Sequence, residues 1–176
     1  MYDRIIGRDR TYMKLQRDTL VGEFRKELNA RESLVLRADT SLADAAQSLK
    51  DRPEVDLIAV TDEQDVLVGT LTVDVLLGDI IADIVPESYF SDASTLEGLL
   101  TSAPLLSVHR TIGEITSDAF AVTDDTTAEG ALIELHRNNL RAIPIVDDSN
   151  RIIGQLTLIE LVLRWMNDSP DYANDE

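Results

Sequence analysis

The sequence predicts an α/β (α+β) fold built from two copies of one β-α-β-β-α unit, packed as a pseudo-twofold pair. One sequence pattern occurs twice within the 176 residues. Each copy contains two short apolar runs joined by a turn, which is typical of a β-hairpin. Each copy also has hydroxyl residues just before two apolar runs of helical spacing. Because a unit of about 50 residues buries little apolar surface alone, we expect the two copies to pack against each other.

The repeat is visible when the two halves of the chain are compared directly. In both copies hydroxyl residues precede small apolar residues, a short branched run follows, and a glycine-containing run ends in threonine. The matching segments are 20–24 with 111–115, 39–46 with 125–132, 57–60 with 143–146, and 66–72 with 151–157. This alignment places Ile58 at the position of Pro144.

The first repeat yields its elements in chain order. Thr40 and Ser41 are good N-caps, and the apolar residues after them recur at helical spacing, which predicts a helix. The run 57–60 is too short for a helix and rich in branched residues, so it predicts a buried strand that the turn 62–65 joins to the next strand. Thr72 then caps a closing helix. The predicted elements are a strand at Leu34–Arg37, a helix after Ser41, strands at 57–60 and 66–71, and a helix over 73–81.

The second repeat gives the same elements from the same signals. Thr126 and Thr127 are its N-caps, and Ala128, Ala131 and Leu135 fall on one face of the helix that follows. The segment 147–150 is a turn sequence between two apolar runs, which predicts a second hairpin. The predicted elements are strands at 120–123, Ala142–Val146 and 151–156, a helix after Thr127, and a closing helix over 158–165 that Thr157 caps.

The chain divides into five parts. They are an N-terminal helix and arm (1–33), the first repeat (34–81), a helical insert (82–110), the second repeat (111–166) and a flexible acidic tail (167–176). An amphipathic helix is expected over residues 10–30, with Leu20 and Phe24 among its apolar contacts. The insert is either a helical lid or an element that binds a partner.

Composition excludes several classes of function. The net charge is −17, which disfavours nucleic acid and anionic membrane surfaces as partners. The acidity either serves solubility or attracts divalent cations. There is no cysteine. There is also no apolar run of the roughly 20 residues that cross a bilayer, so we expect no membrane insertion by this chain. The expected location is the cytoplasm.

No pattern in the sequence indicates catalysis. His109 and His136 lack metal-ligand spacing, and His136 falls on the polar side of a helix. The chain has no glycine-rich phosphate loop and no signature of a serine, histidine and aspartate triad. We therefore expect a protein that is not an enzyme.

The order of elements and their motifs resemble the tandem CBS-domain family, whose paired repeats are also called Bateman modules. In the second repeat the middle strand reads RAIPIVD over 141–147, and the end reads GQLTLIEL over 154–161. The family pattern at that end is glycine, two residues, threonine, two residues and aspartate. The first repeat keeps Gly69 and Thr72 but has Val75 at the acidic position, with Asp74 one residue earlier. The resemblance covers residues 18–166.

The resemblance implies an adenosine site in the cleft between the repeats. Thr157 and Glu160 would bind the ribose, and Ile143 and Pro144 would flank the adenine. The remaining residues that the resemblance implies are Ala121 and Thr123 at the base edge, Arg141 and Arg164 at the phosphates, and Thr72 and Asp74 in a weaker site of the first repeat. One nucleotide is expected, centred on Thr157.

Each of these residues also has a structural explanation. Thr157 and Glu160 match the Thr-x-x-Glu capping box that begins many helices. Pro144 suits an edge strand, where no ladder hydrogen bond is needed. Arg141 and Arg164 are equally suited to pairing with the abundant carboxylates.

Three functions remain open under the resemblance. The first is a sensor of AMP, ADP or ATP that controls a regulated enzyme or transporter domain. The second is the Mg2+-sensing cytosolic gate of a cation transporter like MgtE, since Mg2+ prefers oxygen ligands. The candidate ligands are the carboxylates of Asp62, Asp65, Asp124, Asp125, Asp147 and Asp148. The third is a ligand-free dimerisation scaffold. The family also implies a homodimer that forms through the closing helices.

Overall fold

The computed structural model describes residues 15–27, 34–50, 52, 54–84 and 110–168. Most of the predicted helical insert, including residues 85–109, lies outside these ranges, as do His109 and the tail from residue 169.

Both repeats form the predicted β-α-β-β-α unit. The strands are β1 Leu34–Arg37, β2 Leu57–Thr61, β3 Leu67–Thr72, β4 Val122–Thr123, β5 Ala142–Val146 and β6 Ile152–Thr157. The α-helices are α1 Val21–Phe24, α2 Leu42–Leu49, α3 Val73–Ile84, α4 Ala128–Arg137 and α5 Leu158–Asp168. Two 3-10 turns lie at Arg25–Glu27 and Ile112–Glu114. Ser41 and Thr127 cap α2 and α4, because each hydroxyl accepts a backbone hydrogen bond from the residue three positions on. The predicted α/β pair is confirmed.

Each repeat contains a three-stranded sheet whose middle strand comes second in chain order. The orders are β1-β2-β3 and β4-β5-β6, with the first pair of strands parallel and the second antiparallel in each sheet. Gly69 lies opposite Val60, and Gly154 lies opposite Ile145. Ala59 therefore takes the position of Pro144, and the alignment of Ile58 with Pro144 was wrong by one residue. Apolar runs do not reveal this offset, since the hairpin ladder sets it.

Pro144 lies in the middle strand of its sheet, so the edge-strand explanation was wrong. Proline is tolerated there because β4 is only two residues long and begins with Val122, which lies opposite Ile145. Pro144 is thus one residue beyond the paired part of β4, where no ladder bond is required of it.

The two hairpin turns have the same construction. The Asp62 carboxylate accepts the backbone N–H groups of Gln64 and Val66 at 2.8 and 3.0 Å. Asp147 accepts the N–H groups of Ser149 and Arg151, both at 2.9 Å. The left-handed residue that closes each turn is Asp65 with φ 62° or Asn150 with φ 59°, which are residue types that tolerate this region.

The segment before each repeat packs on the other repeat. The backbone N–H of Val21 donates to Thr126 O at 2.8 Å, and that of Gly22 donates to Asp124 O at 2.9 Å. In the equivalent contact of the other repeat, the backbone N–H of Ile112 donates to Thr40 O and that of Gly113 donates to Ala38 O, both at 2.9 Å. This exchange of arms relates the repeats by a pseudo-twofold axis.

The prediction of a long N-terminal helix was wrong for the residues that the structure describes. Residues 15–20 are not helical, and α1 spans four residues before the 3-10 turn. Leu20 is extended, with φ −77° and ψ 144°. The reason is tertiary pairing, because the Thr19 carbonyl accepts a hydrogen bond from Ala128 N at 2.8 Å instead of continuing a helix.

The aliphatic core lies around both sheets and continues across them. One cluster centres on the second repeat and includes Phe24 from the arm and Leu57 from β2. A second cluster fills the first repeat, and a small third one joins Ala59, Leu67 and Val146 across the axis. Within the described part of the chain, no helix has the length and hydropathy needed to cross a membrane.

Candidate functional site

A cavity of about 750 Å³ lies between the two repeats. Its walls come from the junction of β3 and α3, the end of α4 with the loop into β5, and the arm before β4. Its volume falls in the range of about 300–1,000 Å³ typical of small-molecule sites.

The first repeat contributes the start of its closing helix. Thr72, Asp74 and Val75 line the cavity, and the Thr72 hydroxyl accepts a hydrogen bond from Val75 N at 3.4 Å as a helix cap. The start of β2 lies beside this helix because Val73 N donates to Asp56 O at 3.2 Å. The arrangement brings a hydroxyl and two carboxylates to one wall.

The second repeat contributes the end of α4 and the start of β5. Asn139 has φ 51°, a left-handed conformation that asparagine tolerates, and it ends the helix beside Asn138. Leu140 N then donates to Leu135 O at 2.8 Å, which fixes the loop. Arg141 follows at the entry to β5. This wall therefore presents amide groups and one guanidinium, together with the imidazole of His136 on α4.

The arm before β4 closes the cavity from a third side. Ser117 N donates to Thr70 O at 3.0 Å, and the buried Thr70 hydroxyl donates to Asp118 O at 3.1 Å. A Cβ at Gly69 would lie 2.6 Å from Ser117 O, so the close approach of the arm requires glycine there. Phe120, half-buried, adds an aromatic ring to the lining.

One ion pair crosses the cavity between the repeats. Arg141 NH1 lies 3.8 Å from Asp56 Oδ1, and the two side chains are 77% and 54% exposed. These residues occupy matching positions, since each directly precedes the middle strand of its own repeat. The pair therefore lies close to the pseudo-twofold axis.

Thr157 and Glu160 are bonded to each other. The Thr157 hydroxyl donates to Glu160 Oε2 at 2.6 Å, Thr157 N donates to the same oxygen at 3.0 Å, and Glu160 N donates to Thr157 Oγ1 at 3.3 Å. This is a complete capping box at the start of α5. Neither residue is among those that line the cavity, and their binding of a ribose stays a prediction.

The other residues predicted to contact a nucleotide are also placed away from the cavity lining. Ile143 is in the core with 0% exposure, and Pro144 is buried beside it. Ala121 packs on the small cluster at the axis, while the backbone N–H of Thr123 donates to the hydroxyl of Thr126 at 3.0 Å. The guanidinium of Arg164 lies 5.6 Å from the centre of the Phe24 ring. Of the predicted residues, the structure brings together Thr72, Asp74 and Arg141.

The predicted metal ligands lie in the two hairpin turns and in the segment after β4. Asp62 and Asp65 are in the first hairpin turn, and Asp147 and Asp148 are in the second. Asp124 and the exposed Asp125 follow β4, where Asp124 already binds the Arg25 guanidinium with contacts of 2.7 and 2.9 Å. Among the described residues, no group of three or more His, Cys, Asp or Glu side chains is placed to hold a metal ion.

Sequence reasoning missed several residues of the cavity. Asp56, Ser117, Phe120, Asn138 and Asn139 were not predicted to line it. Asp56 had a detectable signal, because it precedes β2 as Arg141 precedes β5. The others come from loops and an arm whose meeting depends on the packing of the two repeats.

Two β-α-β-β-α repeats related by a pseudo-twofold axis define the class of paired-repeat modules. The sequence model of the CBS domain matches residues 25–81 and 112–166, and the chain belongs to the CBS-domain family as a tandem pair. No protein with a curated description matches the sequence significantly.

Solved structures share this fold. A CBS domain-containing protein from Thermotoga maritima is 22% identical, with a TM-score of 0.67, over 88% of this chain and 99% of that chain. CBSX2, a CBS-pair protein from Arabidopsis thaliana, is 25% identical, with a TM-score of 0.62, over 84% and 94% of the two chains. CBSX2 has also been solved in complex with AMP, and this chain matches that structure with a TM-score of 0.58 at 25% identity, over 84% of this chain and 96% of that chain. The cytosolic domain of the Mg2+ channel MgtE is 18% identical, with a TM-score of 0.52, over 74% of this chain and 44% of that chain, which is a likeness of fold alone.

Proposed function

We propose that this chain is a non-catalytic regulatory module that binds an adenine nucleotide between its two repeats and controls a partner domain or protein. One observation carries the proposal: Thr72, Asp74 and Arg141, which come from both repeats, line one cavity of about 750 Å³.

The chemistry of the lining suits the three parts of a nucleotide. The Thr72 hydroxyl and the Asp74 carboxylate can accept hydrogen bonds from ribose hydroxyls. The partly exposed apolar side chains of Phe120 and Leu158 offer a surface for the flat purine, and the asparagine amides of the lining can bond its edge. The Arg141 guanidinium supplies the cation that a phosphate requires.

A structural relative supports the choice of ligand. CBSX2, at 25% identity, was crystallised with AMP. Because the present cavity has both apolar and hydroxyl-binding groups on walls from two repeats, an adenosine group is the ligand class that its lining fits best.

Binding in this position gives the module a way to regulate. A ligand that touches both repeats favours the arrangement in which both walls are in place, and it shifts the population of the module toward that arrangement. The partner then responds to the spacing of the repeats. The partner class that we propose is an enzyme or transporter domain in the cytoplasm.

We also propose that the module acts as a homodimer through its closing helices. Large apolar side chains on α3 and α5 are exposed to solvent. They are Val75, Leu77, Ile81, Ile159, Val162, Leu163, Trp165 and Met166. Val162 and Trp165 also border a groove of about 330 Å³ between α4, α5 and the arm. Exposed apolar side chains concentrated on helices are typical of a protein interface.

The nucleotide proposal is tested by calorimetric titration of AMP into the whole chain. Thr72→Val removes a hydroxyl at constant shape, and Arg141→Gln removes the cation; each is expected to weaken AMP binding about tenfold or more, as the loss of a charged or ribose hydrogen bond implies. Arg151→Gln removes a cation from an exposed turn and is the matched control. Absence of AMP binding to the wild-type chain at millimolar concentration, or equal loss with the control, would overturn the proposal.

A further inference from the structure

The charges around the cavity decide which nucleotide it accepts, an inference that rests on the proposed nucleotide site. Among the described lining residues, Arg141 is the only arginine or lysine, whereas Asp56 and Asp74 both carry carboxylates. The two carboxylates and the Arg141 guanidinium sum to a formal charge of −1. The surface as a whole is also strongly acidic, at −17.

The charge of Arg141 is already partly matched. Its NH1 atom lies 3.8 Å from Asp56 Oδ1 of the other repeat. A phosphate that reaches the guanidinium therefore comes close to the Asp56 carboxylate as well. The first phosphate is attracted by Arg141. Each additional phosphate is repelled by Asp56, and no further described cation in the lining offsets that repulsion.

The start of α3 does not supply the missing positive charge. The N-terminus of a helix has a partial positive charge that often binds ligand phosphates. Here Asp74 is in the first turn of α3, so the protein's own carboxylate already interacts with this partial positive charge. In α5 the matching position is Ile159 and the first-turn acid is Glu160, which is bonded to Thr157 and does not line the cavity.

We infer that Asp56 is a specificity-determining residue that restricts the site to adenosine carrying a single phosphate. AMP is expected to bind more tightly than ADP, and ADP more tightly than ATP. The selection acts through repulsion between the Asp56 carboxylate and the phosphates, so the binding of adenosine itself is unaffected by Asp56.

The test is calorimetric titration of the whole chain with adenosine, AMP, ADP and ATP in the presence of EDTA. For the wild-type chain, AMP is expected to bind at least about tenfold more tightly than ATP. Asp56→Asn is expected to reduce this ratio to within about threefold by strengthening ATP binding, while adenosine binding stays unchanged. Asp148→Asn removes the same charge from an exposed turn and is expected to leave the ratio as it is.

The outcomes separate this inference from the proposed function. If AMP and ATP bind equally to the wild-type chain, the selection is overturned and nucleotide binding stands. If Asp148→Asn changes the ratio as much as Asp56→Asn, overall charge is responsible and the role of Asp56 is overturned. If none of the four compounds binds, the proposed function fails and the inference fails with it.

Discussion

The Arg25 guanidinium donates two hydrogen bonds to the Asp124 carboxylate, from Nε to Oδ1 at 2.7 Å and from NH2 to Oδ2 at 2.9 Å. This ion pair links the arm of the first repeat to the second repeat, and its two residues are 99 positions apart in the chain. By the pseudo-twofold axis, Arg25 and Asp124 stand where Thr116 and Ala38 stand in the opposite contact. The two arms therefore have the same backbone hydrogen bonds but different side-chain contacts.

We predict a measurable coupling between Arg25 and Asp124. Their geometry is bidentate and partly buried, with 26% and 42% exposure, so a double-mutant cycle with Arg25→Met and Asp124→Asn should give about 1 kcal/mol of free energy of unfolding in urea. The pair of Arg17 and Glu129, 3.7 Å apart and 74% and 52% exposed, is the control and should give a coupling near zero. Equal couplings for the two pairs would contradict the prediction.

The same pair should not make stability depend on pH in the neutral range. The hydrogen bond from Arg25 to Asp124 raises the pKa of the guanidinium above its already high ordinary value. A raised pKa stabilises the fold at every pH below the ordinary value, and that stabilisation is lost only as the pH rises through the folded-state pKa. The difference in free energy of unfolding between wild type and Arg25→Met is therefore expected to be constant from about pH 6 to pH 9, measured by urea denaturation.

Replacement by alanine is predicted to have opposite effects on the free energy of unfolding at Gly69 and at Gly78. A Cβ at Gly69 would lie 2.4 Å from Thr116 Cγ2 and 2.6 Å from Ser117 O, so the arm must shift. Gly69→Ala should lower the free energy of unfolding by about 1–3 kcal/mol and weaken AMP binding, since the arm closes the cavity. Gly78 lies within α3 with no atom within 4 Å of the built Cβ. Gly78→Ala should raise the free energy of unfolding by about 0.5–1 kcal/mol. Thermal and urea unfolding check both values, and a stabilising Gly69→Ala would show that the arm is not tightly packed.

The sequence predicted the elements well because their signals are local. The caps at Ser41 and Thr127, the helical spacing after them and the branched strand runs need no knowledge of distant residues. The β-α-β-β-α order and the pairing of the repeats follow from these signals together with the need to bury apolar surface. The ends of the helices extended further than predicted, to Ile84 and Asp168.

Features that depend on distant contacts were predicted less well. The register that places Ala59 at the position of Pro144 is set by the ladder with β3 and β6, not by composition. The arm was mistaken for a long helix, since its carbonyl and N–H groups pair with backbone around residues 124–128. The cavity contains Asp56 and Asn139 because two loops from different repeats meet there, and a single sequence does not show that meeting.

Thr157 and Glu160 give a prediction that separates a structural role from a binding role. Glu160→Ala opens the capping box and should lower the free energy of unfolding by about 1 kcal/mol. AMP affinity and a stoichiometry of one per chain should be unchanged, because neither residue lines the cavity at Thr72. Glu160→Gln, which can still accept the backbone hydrogen bond, is the matched control for the cap. A second AMP in the wild-type chain that disappears with both variants would instead assign ribose binding to the second repeat.

The apolar surface of the closing helices gives the final prediction. Trp165 is 46% exposed and Leu163 is 43% exposed on α5, a costly arrangement for a monomer in water. Trp165→Glu should convert a dimer to a monomer in sedimentation velocity at micromolar concentration, since a buried unpaired charge opposes association strongly. Ile153 on β6, 36% exposed and outside the closing helices, provides the matched control Ile153→Glu, which should remain dimeric. Because the proposed nucleotide site lies within one chain, the Trp165→Glu monomer should retain the AMP affinity of the wild type. A wild-type chain that sediments as a monomer would refute the homodimer, and loss of AMP binding in a folded Trp165→Glu monomer would show that the nucleotide site requires the second copy.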